Sequence, residues 1–136
     1  MNPLSVDIRQ LLVDNDVGSE TPTDDWAVQV GRFEDKPDEL LCVADIPAPA
    51  PMYLFGKETV HEDTCRIVVR SWGYLTGYSK CMEAIEVVAM TSEREINGTD
   101  YWSMRQDTSV SYLDKDATGR HLFVFTITAQ RQNKGD

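Results

Sequence analysis

Residues that usually carry chemistry are scarce in this 136-residue sequence, which holds three cysteines and two histidines. Cys42, Cys65 and Cys81 are odd in number and lie 23 and 16 residues apart, with no Cys-x-x-Cys pair. That pattern excludes a disulfide framework and the common zinc and redox motifs, and it predicts reduced, buried thiols in an intracellular protein. No phosphate-binding P-loop, no G-x-G-x-x-G turn and no G-x-S-x-G elbow is present. No apolar run approaches the ~20 residues of a membrane-crossing helix. The start, Met1 to Asp7, lacks a basic region followed by an apolar one, so no signal peptide is expected. Positive charge is also short: 13 Lys and Arg face 23 Asp and Glu, for a net charge of −10. Affinity for phosphate-rich partners needs a basic surface, so broad binding to nucleic acid or to an anionic membrane is disfavoured.

The length suits a single domain over residues 1–136, since domains run to roughly 100–200 residues. A chain of this size buries about two thirds of its unfolded surface and needs no disulfide or structural metal to fold. The net charge is unevenly placed. Residues 1–64 carry 14 acids and 4 bases, whereas residues 65–136 carry 9 of each. A solvated acidic face accounts for this. A face that repels an anion or meets a basic partner accounts for it as well.

Apolar residues at Leu4, Ile8, Leu11 and Leu12, behind Asn2-Pro3, predict a short amphipathic helix ending near Val17-Gly18. Trp26, Val28 and Val30 alternate with Ala27, Gln29 and Gly31 as in a strand with one buried face. After a Lys36-Pro37-Asp38 turn, residues 40–44 read as a more fully buried strand, and the two strands are expected to form a hairpin. Residues 46–61 read as a long loop with an extended, proline-rich path. Its Met52, Tyr53, Leu54 and Phe55 either fold onto the core or dock another subunit.

Cys65, Ile67 and Val69 alternate with Arg66, Val68 and Arg70 in a further strand. A second helix opens at Thr76-Gly77. It is expected to bury Tyr78, Met82, Ile85, Val88 and Ala89 and to expose Lys80, Glu83 and Glu86. A short hairpin turned at Asn97-Gly98 fits residues 96–106, because Asn-Gly favours positive φ; without secretion, Asn97-Gly98-Thr99 reads as this turn and not as a glycosylation site. Strands at 109–113 and 122–130 flank a turn at 114–119, and the tail from Arg131 is expected to fray. The order α-β-β-loop-β-α-β-β-β indicates an α+β fold: a mostly antiparallel or mixed sheet with two helices packed on it.

Sites for chemistry are not found. Asp114, Asp116, Thr118 and Gly119 resemble the start of a Ca²⁺ loop, but Phe125 stands where its bidentate Glu belongs, so an Asp-stabilised hairpin turn is expected. His61-Glu62-Asp63 alternates across a strand and cannot converge on one ion. Acidic pairs such as Asp24-Asp25 and Glu34-Asp35 flank turns. No catalytic, metal-binding or cofactor-binding residue is assigned. Arg66, Arg70 and Arg105 either pair with neighbouring acids or form a basic patch at a subunit interface.

Taken in order, these features resemble the small tail-terminator (tail completion, or minor capsid) proteins of tailed bacteriophages. The resemblance covers about residues 4–131. It rests on the leading helix, Trp26-Ala27-Val28-Gln29-Val30-Gly31, Lys36-Pro37-Asp38 and the proline-rich loop. It continues through Arg66-Ile67-Val68-Val69-Arg70, Gly77-Tyr78, and the closing hairpin from Leu113-Asp114-Lys115-Asp116 to Gly119-Arg120-His121-Leu122-Phe123. It implies a non-enzymatic virion protein made in the host cytoplasm. Such a protein forms a ring, usually hexameric, at the head-proximal end of the tail tube, stops tube growth and offers a joining surface to the head or neck. Implied partners are further copies of the chain, the tail tube protein and a head-completion or neck protein. DNA passes through the ring without being bound specifically, and no membrane is involved. Within that picture Met52, Tyr53, Leu54, Phe55, Arg66, Arg70 and Arg105 are candidates for subunit or tube contacts. Glu34, Asp35, Asp38 and Glu39 are candidates for an acidic lumen wall. A head-side neck protein is the alternative, and a tail tube subunit a more distant one.

Overall fold

The computed structural model describes residues 1–47, 52–54 and 57–133, with side chains outside the description at 52–54 and 57–59. Two helices, α1 (Leu4–Asp14) and α2 (Tyr74–Ala89), accompany β1 (Ala27–Val30), β2 (Leu40–Ile46), β3 (Met52–Leu54), β4 (Lys57–Ser71), β5 (Ser92–Ile96), β6 (Thr99–Gln106), β7 (Ser111–Lys115) and β8 (His121–Asn133). The main path of the sheet runs β1-β2-β4-β8-β6-β5, with β3 on β4 and β7 on β8. Among the described strands only β1 and β2 pair in parallel, so this is a mixed sheet in an α+β fold.

Strand β8 organises the sheet. β4 lies along one side of it, while β7 and β6 share the other, β7 at its start and β6 towards its end. Phe123, Phe125, Ile127 and Ala129 alternate onto the inner face, where they meet Cys65, Ile67 and Val69 of β4. The outer face carries Thr64, Arg66 and Thr126, polar residues that suit a solvated sheet surface, and the buried Thr128, whose hydroxyl lies 2.9 Å from that of Thr64.

The stripe of α1 is buried as expected: Leu4, Ile8, Leu11 and Leu12 are all enclosed. The sheet curls around this helix, which touches both terminal strands, β1 and β5, as well as β2 and β4. Polar anchors hold its first turn. The Ser5 backbone N–H and hydroxyl donate to the Asp45 carboxylate of β2, at 2.9 and 2.6 Å. That carboxylate satisfies an N–H group the helix leaves free and lies favourably towards its dipole. Asp7 is fully buried and accepts from the Tyr101 hydroxyl and from Asn97 Nδ2. Arg131 lies 3.6 Å from Asp7 and donates at 2.7 Å to both Asp63 and the Asn2 carbonyl.

Four expectations are corrected. First, β1 and β2 do not form a hairpin. β1 has only four residues, about 13 Å of strand, while residues 31–39 can span about 30 Å. A helix-free return to a parallel start is therefore within reach, and it is fixed at its ends by Gly31 N–H to Val43 O and Trp26 N–H to Glu39 O, both 2.7 Å. β1 also lacks the expected alternation, because Ala27 and Val28 are both buried while Val30 is exposed. Second, the 46–61 segment is not one loop: Ile46 ends β2, Met52–Leu54 pairs with β4, and β4 starts at Lys57. Third, the tail does not fray at Arg131; β8 continues to Asn133 because that guanidinium is bound in the core. Fourth, α2 is turned by about one residue. It buries Gly77, Cys81, Ala84 and Val88, leaves Tyr78 and Met82 exposed, and sends Lys80 inward to the Val17 carbonyl at 3.0 Å.

Candidate functional site

The return segment 31–39 is held by two buried arginines from the other half of the chain. Arg70 on β4 is 3% exposed and donates to three backbone carbonyls: Pro37 (2.6 Å), Asp35 (3.1 Å) and Asp38 (3.2 Å). Its guanidinium also lies 4.8 Å from the centre of the Phe33 ring. Arg120, at the start of β8, bridges Asp116 (2.8 Å), Asp38 (2.9 Å) and Asp35 (3.1 Å), and also donates to the Asp35 carbonyl at 2.7 Å. Asp116 organises the β7–β8 turn by accepting from the Thr118 N–H and hydroxyl and the Arg120 N–H. Burial alone would raise the Asp116 pKa, but these donors and the Arg120 guanidinium outweigh it and hold the carboxyl well below the usual range. This is the Asp-stabilised turn expected from the sequence.

The expected surface residues are therefore placed as follows. Glu34, Asp35, Asp38 and Glu39 do share one segment, but each has a partner. Glu34 pairs with Arg32 at 3.0 Å, Asp35 and Asp38 pair with Arg120, and Glu39 accepts from the Trp72 N–H at 3.0 Å. Asp38 is also held low by hydrogen bonds from Lys36 and Trp72. Arg66 is exposed on the outer sheet face, and Arg105 lies 3.9 Å from Glu62 at the surface. Arg70 does not join them at the surface, because segment 31–39 covers that end of the face. The expectation for Met52, Tyr53 and Leu54 concerns side chains outside the description, and Phe55 lies wholly outside it.

A surface feature missed by the sequence reading lies where α2 begins. Trp72, Tyr74, Leu75, Tyr78, Tyr112 and Leu113 are all exposed large apolar residues, Leu75 at 76%. The three tyrosines gather around one buried ring: Phe123 lies 5.1 Å from Tyr74, 5.3 Å from Tyr112 and 6.2 Å from Tyr78, with the ring planes edge-on, and Leu75 and Leu113 adjoin Tyr74 and Tyr112 in the chain. Tyr74 and Tyr112 are 5.2 Å apart, and the Tyr112 hydroxyl lies 2.9 Å from His121 Nδ1. Trp72 closes the patch against Gly119 of the β7–β8 turn. The cause is local packing. A Cβ on Gly77 would come within 2.9 Å of Phe123, so α2 rests closely on the sheet through its small residues and turns its large ones outward. The density of large apolar residues in 72–78 was the available signal.

Among the described residues there is no group of three or more His, Cys, Asp or Glu placed to hold a metal ion. Cys42, Cys65 and Cys81 are buried and unbonded to one another, and burial pushes the Cys65 and Cys81 thiols up to about 12. Such thiols stay protonated and inert at neutral pH. No described helix is long and apolar enough to cross a membrane.

What the molecule offers is shaped surface on a tied-down sheet. A match to the family model described as bacteriophage tail terminator protein extends over residues 9–133, most of the chain, and places the molecule among the structural proteins of phage virions. The chain belongs to the bacteriophage tail terminator family. No curated protein matches it.

Proposed function

We propose that the protein acts as a non-enzymatic ring, formed of six copies, that caps the head-proximal end of the tail tube. One side of the ring docks on the last tube layer. The other side lacks a tube-like docking surface, so polymerisation ends there and the head-completion or neck protein can join. The observation that carries this reading is the family match over residues 9–133. The net charge of −10 fits a ring through which DNA slides, because phosphate finds little to bind. Segment 31–39 is a candidate lumen border, its field moderated by Arg32, Lys36 and Arg120. Arg66 and Arg105 on the outer sheet face, together with 52–55, remain the candidate contacts with tube or neighbouring subunit.

Electron microscopy of particles made without the protein tests the reading. Overlong tails unattached to heads are the expected result. Tails of normal length beside leaking heads would overturn it in favour of a head-side neck protein, and long tubes assembled from the purified chain would overturn it in favour of a tube subunit.

A further inference from the structure

We propose that the aromatic face formed by the start of α2 and by β7 is the surface on which a second copy of this chain docks. The proposal rests on the ring reading and adds to it the patch through which neighbours meet. Size is the first argument. Half-exposed aromatic side chains each present about 100 Å², so with Leu75 and Leu113 the face offers on the order of 600 Å². That is at the upper limit of what monomeric proteins leave exposed and close to the ~800 Å² per partner of a stable interface.

Composition is the second. The face holds Trp, three Tyr and two Leu and no charged side chain, as the desolvated centres of permanent interfaces do. Its tyrosines are braced against Phe123 and each other, so little side-chain freedom is lost on docking.

Charge selects the occupant. Two copies each carrying −10 repel one another and can approach only where bare carboxylates are few. Of the acids near this face, Asp35, Asp38 and Asp116 are bound to Arg120 and Glu39 accepts from the Trp72 backbone, which leaves Asp114, beside Tyr112 and bonded to the Lys115 N–H, as the one exposed carboxylate without a cation among those named. A basic partner would instead be drawn to the acidic excess carried by residues 1–64. The two occupants thus respond oppositely to salt. Screening weakens repulsion between like copies and leaves apolar contact intact, whereas it loosens a charge-driven complex.

The test is sedimentation and native mass spectrometry of the full chain over a concentration series at low and high salt. The expected result is self-association that persists or strengthens in salt. Leu75→Arg should weaken it at least about tenfold, the equivalent of about 1.4 kcal/mol. Met90→Arg, at an equally exposed site towards the far end of α2, should leave it unchanged. Circular dichroism of both variants checks that they fold. A chain that stays monomeric, an oligomer indifferent to Leu75→Arg, or one dissolved by salt would overturn the proposal. A monomeric chain whose deletion still yields overlong tails overturns the docking surface alone. An oligomer lost in Leu75→Arg, beside normal tails in the deletion, overturns the terminator reading alone.

Discussion

The two helices carry apolar stripes of similar spacing and meet opposite fates. In α1 the large residues Leu4, Ile8, Leu11 and Leu12 face inward and the sheet wraps around them, with Asp45 holding the first turn. In α2 the inward positions are Gly77, Cys81, Ala84 and Val88, while Tyr74, Leu75, Tyr78 and Met82 remain in contact with water. Periodicity identifies a helix in both cases. It identifies the buried side only when the available space matches the largest residues. Where a Phe123 ring already fills that space, small residues win the inner positions, and the displaced large ones form an exposed apolar face.

Substitutions can break this contrast, and the largest effect is expected at the polar anchor of α1. Arg131→Ala leaves Asp7 and Asp63 without their buried cation and should cost about 3–5 kcal/mol in a denaturant titration. Ile8→Ala empties a fully enclosed position under α1 and should cost about 2–5 kcal/mol by the same measurement. On α2, Gly77→Ala forces a methyl against Phe123 and Ser71, with an expected loss of about 1–3 kcal/mol despite better helix propensity. A variant as stable as the parent would show that the helix can lift off the sheet freely. The smallest effect is expected at Leu75→Arg, within about 0.5 kcal/mol of the parent, because nothing in the isolated chain covers that side chain. A large thermal shift there would mean that Leu75 is already part of the folded core.

The same contrast explains what was legible in the sequence. The α1 stripe, the alternation of β4 and β8, and the Asn97-Gly98 and Asp116 turns are local, and each appears where the residues put it. The family resemblance was legible too, through the order of such elements. Alternation also placed Arg70 on the same face as Arg66, and the register agrees. It could not foresee that segment 31–39 would fold over Arg70 and leave Arg66 bare. The parallel β1–β2 pair escaped for a related reason. Strand direction depends on where nine intervening residues are anchored, and the anchors, Arg70 and Arg120, lie far along the chain. The aromatic face escaped because only Tyr78 of its residues lay in the stripe expected to be buried, and the others come from around the start of α2 and from β7, which no local pattern joins.

The hydrogen bond from Arg131 to the Asn2 carbonyl has a practical reach beyond stability. It brings residues 2 and 131 together at one pole of the molecule, while Phe123 and the aromatic face lie eight residues back along β8, about 26 Å away. A short linker joining 133 to 2 would close the chain into a circle, and the turn at Asn97-Gly98 or the one at Ala117-Thr118 could then be opened instead. Labels and fusion partners could thus be carried on either of two poles at will, and the aromatic face could be kept clear of them or deliberately blocked.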